Sequence, residues 1–162
     1  MVKCKRLLDH VSKYPNATPR YHASNMILHI DSDAAYLVMP KARSRIAGFF
    51  NLGQPDTFMT QQQPNGTILI ECKTLRHVVA SAAEVEVGGI FHNAQITLPI
   101  QYMLQQLGHP QGPTPIKTDN STAHNFVYDN INLKKSKSWD MRVYWLRDRE
   151  NQKHFRTYWK KE

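Results

Sequence analysis

Three carboxylates stand where separate elements are expected to end or begin: Asp33 closing NMILHIDSD, Glu86 early in SAAEVEVGGI, and Asp119 closing PIKTD. If they converge they suit magnesium, a hard cation that takes oxygen ligands and keeps several waters. Two such ions about 4 Å apart activate a water on one side of a phosphodiester and stabilise the leaving oxygen on the other. Order along the chain does not bring the three together. An acid at a strand end is by default a turn or cap residue.

Other chemistries find less support. The eight histidines form neither an HxxxH nor an HExxH pattern, which argues against a zinc hydrolase, and no GxxxxGK[ST] loop is present for nucleotide binding. His124 lies near Asp119 in sequence and offers an acid or base, but a surface histidine at a helix start is ordinary. Cys4 and Cys72 match no zinc spacing, so a reduced, intracellular protein is expected. The 162 residues suffice for one domain. Lys plus Arg number 21 against 13 acids, a net charge of +8 that favours polyanionic partners. No apolar run has the length of a membrane span, so a soluble protein is expected.

The elements that must position these acids can be read from periodicity. Cys4, Leu7, Leu8 and Val11 fall at helical spacing before Tyr14-Pro15, giving residues 1–16 the look of an appended docking helix. A strand-like RYHAS precedes the first core strand, in which Met26, Leu28 and Ile30 alternate with Ile27, His29 and Asp31. AGFFNLG and TILIECKTL are two further strands of an antiparallel meander. Ala83, Val87, Ile90, Ala94 and Leu98 trace a helical face up to Pro99, with a second short helix in IQYMLQQLG. PIKTD is a strand leading into a helix near Asn120 or Ser121, SWDMRVYWLRDREN is helical, and KHFRTYW is a last strand. The order is α/β, without internal repeats.

Four strings in series, HIDSDAAYLVMPKARSRIAGFF, VVASAAEVEVGGIF, PTPIKTDNSTA and SWDMRVYWLRDR, resemble the ribonuclease H domain of copia-type retrotransposon reverse-transcriptase polyproteins. KRLLDHVSKYP resembles the helix that links the polymerase to that domain. The resemblance implies a connection helix over 1–16 and a ribonuclease H domain over 17–162, with a five-stranded mixed sheet and helices packed on it. It implies that Asp33, Glu86 and Asp119 are the catalytic and metal-binding acids, with Mg²⁺ as cofactor and Mn²⁺ as a substitute. The implied partners are an RNA/DNA hybrid and a reverse-transcriptase domain in a parent polyprotein. Family members continue into a helix with a fourth carboxylate in a motif resembling LADxxTK. This sequence stops at YWKKE, so that ligand is expected to be missing and activity reduced. A second reading is a catalytically silent nucleic-acid-binding or assembly module of the same fold.

Neighbouring acids need separating. Ser81 and Glu84 have the spacing of a capping box, which occupies Glu84 at the cap's own N–H, whereas Glu86 lies about 200° further round the helix, beside the apolar stripe. Asp31 shares a strand face with Asp33; the family motif favours Asp33 and leaves Asp31 as a neighbouring support or a solvent-facing carboxylate. For the hybrid, Lys41, Arg43 and Arg45 alternate and form one charged row if extended, and Lys134, Lys135 and Lys137 form a second cluster. Either group also reads as a solvated face. Asn120 and Ser121 are placed to touch ribose or phosphate, or to cap a helix. Gly88 and Gly89 weaken the long helix or mark a close approach to the sheet.

Overall fold

The computed structural model describes residues 2–55, 65–128 and 137–160. After α1 (Val2–Lys13), strands β1 (Ile27–Met39), β2 (Arg43–Gly53) and β3 (Thr67–Thr74) form the expected antiparallel meander. β4 (Thr114–Thr118) joins the other edge of β1 in parallel, and β5 (Phe155–Trp159) joins β4 in parallel, giving the order β3-β2-β1-β4-β5. Parallel neighbours need crossovers. α2 (Ala82–Gln106) supplies the first, and α3 (Ser121–Tyr128) with α4 (Lys137–Asn151) the second. This is the expected five-stranded mixed sheet with helices packed on it.

Strand alternation decides which side the helices cover. Leu28, Ile30, Phe50 and Ile116 point to one face and form a buried core with Val87, Ile90 and Ala94 of α2, Val127 of α3, and Val143 and Leu146 of α4. The other face is more open: Phe49 and Ile70, directly paired across β2 and β3, are 40% and 61% exposed. On α1, Leu7, Leu8 and Val11 are exposed as well.

Three expectations fail for identifiable reasons. RYHAS is not a strand; the Arg20 carbonyl accepts from Gly66 N–H at 2.7 Å and His22 N–H donates to the Asn65 side chain at 2.9 Å, so it lies along a loop without forming a ladder. α2 does not stop at Pro99 but runs to Gln106. A proline in a helix interior costs about 3 kcal/mol, and burial beyond it offsets that cost: Leu104 joins the core, and Gln101 Nε2 donates to Thr114 Oγ1 and to the His154 carbonyl, both at 2.6 Å. Finally, Lys41 does not extend a row with Arg43 and Arg45. Lys41 and Ala42 are left-handed, φ 60° and 51°, and turn the chain between β1 and β2.

Candidate metal centre

The site begins with a mismatch in strand length. β4 pairs with β1 at Ile30–Ile116 and Asp31–Lys117 and ends at Thr118, while β1 continues to Met39 against β2. Asp33 and Asp119 therefore stand where two parallel strands part, at the mouth of the seam between them. Asp33 Oδ1 accepts from the Ala34 N–H at 2.7 Å, which holds the carboxylate against its own backbone.

α2 supplies the third acid. Ser81 is its N-cap and accepts from Glu84 N–H at 3.2 Å, while Glu84 Oε2 accepts from the Ala80 N–H at 2.6 Å. The capping pair thus forms as expected, except that Glu84 reaches the N–H one residue before the cap. Gly89 faces β1, where a Cβ would stand at ordinary contact distance, 3.4 Å from Ser32 Oγ and 3.7 Å from the Asp33 carbonyl oxygen. Asn93 fixes the contact one turn later, donating to Ser32 Oγ and to the Ala47 carbonyl at 3.0 Å each. The helix is thereby pinned with Glu86 at the seam.

Ligand oxygens of Asp33, Glu86 and Asp119 all lie within 4.8 Å of one another. Asp33 and Asp119 are exposed and Glu86 is 6% exposed. Glu86 Oε2 is buried without a hydrogen-bond partner. Burial, and then the charges of Asp119 and Asp33, push the Glu86 carboxyl up to about 8, against a smaller lowering by the Ala34 N–H. An orphaned buried oxygen among like charges calls for a cation or, failing that, a proton. The donor set, carboxylate oxygens alone, fits a hard divalent ion.

The other candidate residues are distributed differently. Asp31 does not enter the cluster; its Oδ1 pairs with Lys117 Nζ at 3.4 Å. Arg45 stands one pair beyond Asp33 on the same sheet face, opposite Ala35, and donates to Met39 sulfur at 3.1 Å; Arg43 is exposed at the start of β2. Asn120 is occupied as a cap, accepting from Ala123 N–H at 3.0 Å, and Ser121 is exposed at the first position of α3. Lys134 and Lys135 lie outside the described residues, and Lys137 is described only by its backbone, as the first residue of α4. The His124 ring stacks on Tyr128, centroids 4.6 Å apart.

Two contributors escape a sequence reading. Lys117 sits two residues before Asp119, but the register that sets it against Asp31 is visible only in the sheet. Trp159 is 46% exposed, and its Nε1 donates to the Asp119 carbonyl at 2.9 Å, bracing the turn after β4 from β5.

Solved structures share this architecture. LC11-RNase H1, isolated from compost, aligns with a TM-score of 0.57 at 7% identity, covering 85% of this chain and 86% of that one. The fold is the ribonuclease H fold. LC11-RNase H1 in complex with an RNA/DNA hybrid aligns with a TM-score of 0.51 at 8% identity over 82% of this chain and 86% of that chain. The ribonuclease H domain of prototype foamy virus gives 0.51 at 12% identity over 83% and 78%. No family model and no curated protein matches the chain. Among the described residues of this ribonuclease H fold, no helix is long and apolar enough to cross a membrane.

Proposed function

We propose that this chain is a metal-dependent endoribonuclease that cuts the RNA strand of an RNA/DNA hybrid. The observation that carries the reading is the meeting of Asp33, Glu86 and Asp119, from β1, α2 and the end of β4, within 4.8 Å on a ribonuclease H fold. We assign the domain, residues 17–162, to the copia-type retroelement class on the strength of the four sequence strings, with residues 1–16 as its connection to a reverse transcriptase.

In this reading Asp33, Glu86 and Asp119 hold magnesium, which when bound supplies activation of water and stabilisation of the leaving oxygen. The chain's own contribution is placement. The exposed pair Asp33 and Asp119 faces the substrate, while the buried Glu86 has no other partner for Oε2 and so keeps its affinity for a cation. Arg43 and Arg45, on the sheet face of Asp33, meet phosphates and orient the duplex without reading its sequence. Hybrid is distinguished from DNA by shape and by 2′-hydroxyls in the minor groove.

Incubation of hybrid labelled on the RNA strand, with magnesium and with chelator, tests the proposal. Cleavage is expected only with metal, and Asp33→Asn and Glu86→Gln are each expected to abolish it while leaving the fold intact. Glu84→Gln is expected to cleave normally, because glutamine also accepts the Ala80 N–H. Binding of hybrid without cleavage at any magnesium or manganese concentration would instead establish a silent binding module.

A further inference from the structure

Beside the carboxylate cluster runs a second charged rung. Asp31 and Lys117 are direct partners in the parallel register of β1 and β4, and their charged atoms are 3.4 Å apart. Asp31 stands two residues before Asp33 on β1 and so on the same sheet face, while Lys117 stands on β4 two residues before Asp119, which follows the last residue of that strand. A strand advances about 6.6 Å over two residues, within the sweep of a four-carbon lysine stem. Lys117 is therefore an ammonium one rung below Asp33 on the face that carries it, yet it is paired with Asp31, and Glu86 Oε2 remains without a partner.

An ammonium drawn into such a cluster would satisfy the same oxygens that a divalent ion needs. What holds it back is the extra carboxylate one rung down. Resting on the metal-site reading above, we propose that Asp31 is a positioning residue that pins Lys117 away from the cluster and so keeps the cation position open for a divalent ion. Asp31 would then act on metal affinity through Lys117, without ligating metal itself. The pairing also explains why two acids at alternate positions of one strand have different uses. Asp33 reaches the mouth of the seam, whereas Asp31 lies where β1 and β4 are still paired and meets a lysine across the ladder.

The test is a double-mutant cycle read by manganese binding, with the free-ion resonance signal titrated against the full chain in the absence of substrate. Asp31→Asn is expected to weaken manganese about tenfold, the scale on which groups that orient metal ligands act. Lys117→Met is expected to bind at least as tightly as the parent, and the double variant to return to within about twofold of it, since the competing ammonium is gone. A double variant as weak as Asp31→Asn would show that Asp31 acts by its own charge and overturn the proposal. Loss of affinity in Lys117→Met would overturn it too, by showing that the pair serves as a brace between strands. Unchanged binding in Asp31→Asn would end it outright, and urea midpoints of all three variants report whether each is folded. A parent chain that binds no manganese would remove the metal-site reading itself, a failure distinguishable from the others because it precedes any substitution.

Discussion

At the scale of single residues the chain keeps a carboxyl group under stress. Glu86 is buried against two further acids and its folded-state value stands at about 8 against an ordinary 4.5. Between those values the folded protein holds a proton that the unfolded chain has released, so without metal its stability falls as pH rises through that window. The slope reaches at most about 1.4 kcal/mol per pH unit for one proton. Urea midpoints in chelator are therefore expected to drop between pH 5 and pH 8 in the parent, and to drop less in Glu86→Gln, which becomes the more stable of the two at pH 8. Glu150, also raised, chiefly by burial, leaves a residual slope in both proteins, so their difference reports Glu86. Parallel profiles would show that Glu86 does not carry the load. The separate placement of Glu84 at the cap and Glu86 in the carboxylate cluster was legible in the sequence, because a capping box has a fixed spacing and a helix turns about 100° per residue. The partnership of Asp31 with Lys117 was not, since parallel register depends on how β4 docks beside β1 and leaves no mark in either strand's own alternation.

Elements were legible where one period persisted and obscure where a local rule was overridden. The alternation in β1 and the helical stripe of α2 marked element type, and facing at Leu28, Ile30, Val87, Ile90 and Ala94, but Ala83 and Leu98 stand outside the core, and Pro99 hid the continuation of α2, whose support comes from Gln101 and Leu104 meeting distant parts of the chain. The β1–β2 turn was hidden for a similar reason, because Lys41 and Ala42 adopt left-handed geometry that sequence normally announces with asparagine or glycine. Two exchanges between glycine and alanine test these accounts in opposite directions. At Gly88 a Cβ would meet only Leu75 Cδ1, at 3.7 Å, so Gly88→Ala is expected to stabilise the protein by about 0.5–1 kcal/mol through helix propensity. At Ala42 a side chain opposes the left-handed backbone, and Ala42→Gly is expected to stabilise by up to about 1 kcal/mol. Thermal unfolding of both variants gives the signs, and a destabilised Gly88→Ala would mean that α2 lies nearer its neighbours than this packing allows.

For the molecule as a whole, the proposed function assigns affinity for a duplex and the ability to cut it to different residues. The cluster is three carboxylates, which repel phosphate in the absence of metal, whereas the net charge of +8 resides on lysines and arginines spread over the chain. Hybrid binding is thus expected to persist in Asp33→Asn and to fall steeply with salt, because each neutralised phosphate releases counterions. Arg43 is the cleanest single probe of that field. It is exposed, and it heads β2 on the sheet face that leads to Asp33. Arg43→Ala is expected to weaken hybrid binding several-fold, by a similar factor for hybrids of unrelated sequence, and to flatten the dependence of log K on log salt by about one phosphate's share, roughly 0.7–0.9. Manganese affinity and the urea midpoint should not move. Fluorescence anisotropy over a salt series in chelator measures the slope directly. An unchanged slope would place the duplex away from the β1–β2 hairpin, whereas a loss confined to one hybrid sequence would mean that Arg43 reads bases and not backbone.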